Sequence, residues 1–163
     1  MNSRGVRSVT SSKSRAPVSR SEVMAVTAWN LAQTAGSQYF YKRGWAALER
    51  QDYVAARREF DRALVFGDGS EAGGDALFFR ANTFMRAGEP AAAKKAYEEV
   101  VARRPDSDWV AESRYQIGIC LEQLGQGAEA TVTFRKVVAD HPGTPWARMA
   151  ADRLRAAAAQ PAP

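Results

Sequence analysis

The 163 residues of this chain predict an all-α fold of stacked antiparallel helix pairs. Three observations carry that prediction. Turn signals recur at a fixed spacing, at Gln51–Asp52–Tyr53, Gly88–Glu89–Pro90 and Gly125–Gln126–Gly127, each 37 residues after the one before. A small residue and an aromatic four positions later follow every turn: Ala56 and Phe60, Ala93 and Tyr97, Ala130 and Phe134. Ahead of the turns, small residues return at Gly44, Ala81 and Gly118, with Ala47, Phe84 and Leu121 three positions on. A repeat of this length marks a helical array and takes precedence over any single motif.

Elementary geometry accounts for the elements in order. Two helices joined by a short turn approach closely only where their facing residues are small, and aromatics fill the space left beside those residues. Spacings of three and four hold each set on one helix face. Gly88 and Gly125 suit a left-handed residue that ends a helix. Pro90 suits the first turn of the next one. Pro105 and Pro142 end the second helices of repeats two and three, and Asp106, Ser107, Asp108 and Thr144 offer caps for the next helices. The segment 67–74, rich in glycine, reads as a mobile loop leaving repeat one. Residues 22–36 read as a separate N-terminal helix and 145–159 as a capping helix, with an apolar face of Trp146, Met149, Ala150 and Leu154. A disordered basic leader is expected over 1–21 and a short tail over 160–163.

This pattern resembles the tetratricopeptide repeat (TPR) family, whose signature alternates large, small and aromatic residues and ends on proline. Repeat two reads Leu77, Ala81, Phe84, Ala93, Tyr97, Val100 and Pro105. Repeat three reads Ile117, Gly118, Leu121, Ala130, Phe134, Val137 and Pro142. Repeat one, the most degraded, reads Phe40, Gly44, Ala47, Ala56, Phe60 and Ala63, with Asp68 where proline is usual. The resemblance implies a right-handed superhelix of about three repeats, over roughly 37–70, 74–107 and 111–144, plus the C-terminal capping helix. The period exceeds the usual 34 residues. The extra residues fall after proline, at 105–111 and 142–148. In this the repeats are similar to those of bacterial cell-envelope proteins, such as the Tol–Pal-associated coordinator and the outer-membrane assembly lipoprotein.

The family likeness also implies a function. First helices line a concave groove that holds a partner peptide or helix, which makes the chain a scaffold or adaptor. The family's groove positions fall on Tyr41, Trp45 and Leu48 in repeat one, Phe78, Asn82 and Met85 in repeat two, and Tyr115, Ile119 and Glu122 in repeat three. Large aromatics there suit an apolar or amphipathic segment. TPR domains that grip a C-terminal carboxylate use Lys, Arg and Asn. The matching positions here hold Tyr41, Trp45, Phe79, Glu112 and Gln116, so no such clamp is expected. Phe60, Tyr97 and Phe134 read as interior packing.

Composition narrows the remaining classes. The chain is 45% hydrophobic and 25% charged, values that suit a globular domain with a sizeable core. The net charge of +5 is uneven: residues 1–35 hold Arg4, Arg7, Lys13, Arg15 and Arg20 against Glu22 alone, while the rest is nearly balanced. Nucleic acid is therefore not an expected partner of the repeats, and a salt-sensitive contact with an acidic surface is an alternative for the leader alone. A membrane is not expected except through the leader or an upstream anchor. Self-stacking into a larger assembly is the alternative to the adaptor reading, with a homo-oligomer as its form. No nucleotide-binding glycine loop and no paired-histidine metal motif occurs, so no catalysis, cofactor or metal is expected. Cys120 sits on a small-residue helix position and reads as an inert packed thiol. His141 reads as an exposed residue at a helix end. Without an apolar block near its start the chain is expected in the cytoplasm, the envelope-like repeats leaving the periplasm as the alternative.

Overall fold

The computed structural model describes residues 19–159. The segments 1–18, within the expected leader, and 160–163, the expected tail, lie outside them. Among the described residues there are seven helices and no strand: α1 (Arg20–Glu49), α2 (Tyr53–Gly67), α3 (Glu71–Arg86), α4 (Pro90–Arg103), α5 (Trp109–Gln123), α6 (Gly127–Asp140) and α7 (Pro145–Ala159). They form an all-α repeat superhelix. Each helix packs on the next, and α1 also touches α3, α3 touches α5, and α5 touches α7. No such contacts link α2, α4 and α6. The odd-numbered helices therefore form a crowded inner layer and the even-numbered ones a splayed outer layer, so the concave face belongs to α1, α3, α5 and α7.

The pairs close where the sequence thins the backbone. A Cβ added to Gly44 would lie 2.6 Å from the Phe60 ring, and one added to Gly118 would lie 2.4 Å from Phe134. In the middle repeat Ala81 and Tyr97, both 0% exposed, occupy the same places. Arginines tie the layers: Arg80 on α3 pairs with Asp61 on α2 at 3.0 Å and with Glu99 on α4. Arg103 and Arg104 both reach Asp68, at 2.6 and 3.5 Å. Asp68 thus gives the end of repeat one a polar tie where the other repeats have proline.

The three turns are copies of one motif. In each, one N–H reaches back five residues and its neighbour three: Asp52 to Ala47 and Gln51 to Leu48, Glu89 to Phe84 and Gly88 to Met85, Gln126 to Leu121 and Gly125 to Glu122, at 2.9–3.1 Å. This pairing satisfies helix carbonyls and requires a left-handed residue after the helix. Gly88 and Gly125 supply it at φ 74°, but repeat one supplies Gln51 at φ 62°. Asp52 caps α2 by accepting from Ala55 N–H at 3.0 Å, Ser70 caps α3, Thr144 caps α7, and Pro90 begins α4. Ahead of α5, Ser107 accepts from Trp109 N–H while Asp108 makes no side-chain cap bond.

Three local expectations need correction. Residues 22–36 are not a separate helix, because α1 runs unbroken from Arg20. Gly36 does not interrupt it; a Cβ there would meet the Phe66 ring at 2.6 Å, so the glycine admits the end of α2. Nor is 67–74 an open loop, since α3 begins at Glu71 and Gly73 lies so close to the Gly67 carbonyl that a Cβ would fall 2.0 Å from its oxygen. On α7, Ala147, Ala150, Trp146 and Leu154 cover repeat three, but Met149 points outward at 42% exposure.

The Gln51 turn generates a prediction. A side chain in the left-handed region costs about 1 kcal/mol relative to glycine, partly offset because glycine loses more freedom on folding. Gln51→Gly should therefore stabilise the chain by about 0.5 kcal/mol in a urea titration followed by circular dichroism, whereas Gly88→Gln should destabilise it by a similar amount.

Candidate functional site: the aromatic end of the concave face

The sequence brings nine residues to the inner layer, but their side chains divide. Leu48 and Phe78 are each 1% exposed and Tyr115 is 5% exposed, so these three belong to the core and not to an open groove. Met85 and Ile119 are partly buried against core clusters. Asn82 is half-buried, and Glu122 is tied to Arg153 of α7 at 3.3 Å. Tyr41 is half-buried and Trp45 is 40% exposed.

The residues inserted after proline explain the division. Trp109 stacks on Phe78 with ring centroids 4.2 Å apart and planes 14° apart. Trp146, one period later, lies on Tyr115 at 5.7 Å. Each tryptophan stands 31 residues after the ring it covers. The residue that far beyond Tyr41 is Ala72, which is too small to cover a ring. The lengthened linker thus lids the concave aromatic of repeats two and three and leaves that of repeat one open.

What remains accessible is an aromatic platform shared by α1 and α3. Trp45 meets Phe79 edge-on at 4.8 Å. Tyr41 lies 6.0 Å from both Phe79 and Phe60. Phe79 continues to Trp109 at 5.4 Å. The Trp109 indole N–H donates to Asp75 at 2.8 Å, which fixes the lid. Burial and the Asp75 charge raise the Tyr41 phenol above its ordinary range, so it is an uncharged hydroxyl at neutral pH. Trp109 is absent from every set that the family likeness implies, and Phe79 enters only as a position matching the carboxylate clamp, not among the nine groove residues. The signal that marks them is the 37-residue spacing from Trp109 to Trp146 taken together with Phe79 standing next to Phe78.

Charge on this face is acidic or absent where a carboxylate clamp would be cationic. Glu112 on α5 is half-buried, and burial pushes its carboxyl up to about 7, against a weaker opposing hydrogen bond from Gln116. Burial also pushes the Cys120 thiol up to about 11, leaving it protonated, with Met85 Sδ 3.8 Å away. His141 is partly buried, with Nε2 3.2 Å from the Arg114 guanidinium. Among the described residues no group of three or more His, Cys, Asp or Glu side chains could hold a metal ion.

Two predictions separate lid from platform. Phe78→Ala empties a packed site and should cost about 3–5 kcal/mol in chemical denaturation, whereas Trp45→Ala should cost under about 1 kcal/mol. Glu112 keeps its proton up to about pH 7 in the folded chain but only to about 4.5 when unfolded. The folded state therefore binds more protons between those values, and stability falls as pH rises through them. With allowance for solvent at this half-buried position, Glu112→Gln should gain about 1 kcal/mol at pH 8 and nothing at pH 4. An equal gain at both pH values would contradict that cause.

The tetratricopeptide repeat family model matches residues 84–158. No curated protein matches the chain at significant similarity. Among solved structures, the Arabidopsis OM64 TPR domain is similar at TM-score 0.62 and 18% identity, over 77% of this chain and 98% of that one. The first TPR domain of Spaghetti (RPAP3), bound to the HSP90 peptide SRMEEVD, is similar at TM-score 0.62 and 15% identity, over 78% of this chain and 96% of that one. Residues 84–158 match the tetratricopeptide repeat family, and the shared fold and the turn motif repeated every 37 residues carry the same helix-pair architecture through repeat one.

Proposed function

We propose that the chain is a non-catalytic adaptor that binds a partner protein through an extended or helical segment laid on the concave face. The observation that carries this reading is the open platform of Tyr41, Trp45 and Phe79, formed where the concave ring of repeat one has no tryptophan 31 residues on to cover it. Rigid aromatics contribute large contact area at little entropic cost, and such residues dominate interface energetics. A similar fold is bound to a peptide in the Spaghetti domain.

The chemistry of the platform selects among segments. The HSP90 peptide SRMEEVD ends in acids and a carboxylate. At the positions where TPR clamps carry cations, this chain presents Tyr41, Trp45, Phe79, Glu112 and Gln116. An acidic C-terminus placed there would meet no charge-assisted donor and one carboxyl group. The fitting segment is apolar or amphipathic, with one or two large side chains set against Trp45 and Phe79.

The test begins with capture of a partner from the native host by the intact chain, followed by calorimetric titration of the partner's bound segment. Trp45→Ala should weaken that binding by about 30-fold or more, the loss typical of a central aromatic anchor. The peptide SRMEEVD should give no saturable heat. A captured segment that binds the Trp45→Ala variant as tightly as the intact chain would remove the platform from the interaction.

A further inference from the structure

Glu112 is an acid of the concave layer without a counter-charge. It stands half-buried in the first turn of α5. Its equivalent one period earlier, Asp75 on α3, accepts from the Trp109 indole N–H at 2.8 Å. Further along the layer, Glu122 is paired with Arg153 of α7 at 3.3 Å. Among the described residues no cation pairs with Glu112; burial and a hydrogen bond from Gln116 are what act on its carboxyl. The Tyr97 side chain is 0% exposed, and its hydroxyl lies buried without a hydrogen-bond partner, with Asn82 and Glu112 beside it. The interval between α3 and α5 thus holds two amides, a phenol and a carboxyl, and among the described residues no positive charge.

Building on the adaptor reading, we infer that this interval receives an arginine or lysine side chain of the partner segment, with Glu112 as its counter-ion and the Asn82 and Gln116 amide oxygens as further acceptors. A half-buried carboxyl is costly to charge alone. Burial pushes this one up to about 7, so at neutral pH its charged form is available to an incoming cation, and the pair then satisfies the charge that burial penalises. The Gln116 amide donates to the carboxylate through its nitrogen, which leaves its oxygen free to accept. An arginine suits the set best, since its guanidinium donates in several directions at once.

The same segment can reach the aromatic platform. Trp109 lies 5.4 Å from Phe79, and Glu112 follows Trp109 by three residues of α5, a rise of about 4.5 Å. Acid and platform therefore border one strip of the concave face. A segment that seats a large apolar side chain on Trp45 and Phe79 brings a nearby basic residue to Glu112, the long apolar stem of that residue lying along Trp109. Charge then adds selectivity to a surface whose rings alone accept any large apolar side chain.

The experiment is selection from a display library of random dodecapeptides by the full chain, in parallel with Glu112→Gln and Glu112→Arg, each first shown by circular dichroism to keep the helical fold. The intact chain should enrich peptides that hold an arginine or lysine at a constant distance from a large apolar residue. Glu112→Gln should lose the basic residue and keep the apolar one, and Glu112→Arg should exchange the basic residue for aspartate or glutamate. One selected peptide should then bind Glu112→Gln about 10-fold more weakly than the intact chain. Replacing its basic residue by norleucine should weaken binding to the intact chain by the same factor and leave binding to Glu112→Gln unchanged. Enrichment of apolar peptides without a basic residue would overturn this inference and leave the adaptor reading standing. A basic preference that persists in Glu112→Gln would also overturn it, since the cation would then sit elsewhere. No enrichment by any of the three forms would overturn both.

Discussion

The contact on which this fold depends is the aromatic ring set against a missing or minimal side chain. Phe60 rests where Gly44 has no Cβ, Tyr97 meets Ala81, and Phe134 rests on Gly118. Each contact fixes the depth at which the two helices of a pair approach, and so fixes where the inner layer sits relative to the outer one. Any larger residue at Gly44 or Gly118 would push Phe60 or Phe134 out of its place, because protein interiors have almost no spare volume. The repeated turn then sets the direction in which the second helix returns.

A consequence reaches the concave face. Once the pairs are seated at that depth, successive inner helices touch and much of what they carry toward one another becomes core. Leu48, Phe78 and Tyr115 are lost to the groove in this way. The tryptophans that follow the two prolines complete the effect, Trp109 by stacking on Phe78 and Trp146 by lying tilted over Tyr115. The chain therefore has a concave surface whose aromatic character is concentrated at its N-terminal end, on Tyr41, Trp45 and Phe79. That uneven distribution distinguishes it from a groove read uniformly along three repeats.

Polar chemistry is arranged to match. The arginine ties run between helices on the outer and lateral surfaces, as with Arg80 between Asp61 and Glu99. On the concave side Glu112 is held mostly uncharged below neutral pH by its partial burial. At the aromatic platform the nearest charge is Asp75, which accepts from the Trp109 indole and raises the Tyr41 phenol.

The sequence by itself determined the helix pairs, the position of the turn within each pair and the small–aromatic contacts, because each of these follows from local spacing and from residue types with sharp backbone or volume requirements. It also marked Cys120 as buried and Pro90 as a helix start. It did not separate Tyr41 from Phe78 and Tyr115, which stand at equivalent positions in their repeats, since the residue that covers each ring comes from the next repeat, 31 positions away. Nor did it reveal that α1 runs on from Arg20 through Gly36, because a glycine that ends a helix and one that admits a neighbouring ring look alike in sequence. Both were decided by tertiary contact, where accessibility depends on which side chain from elsewhere in the chain occupies the adjoining space.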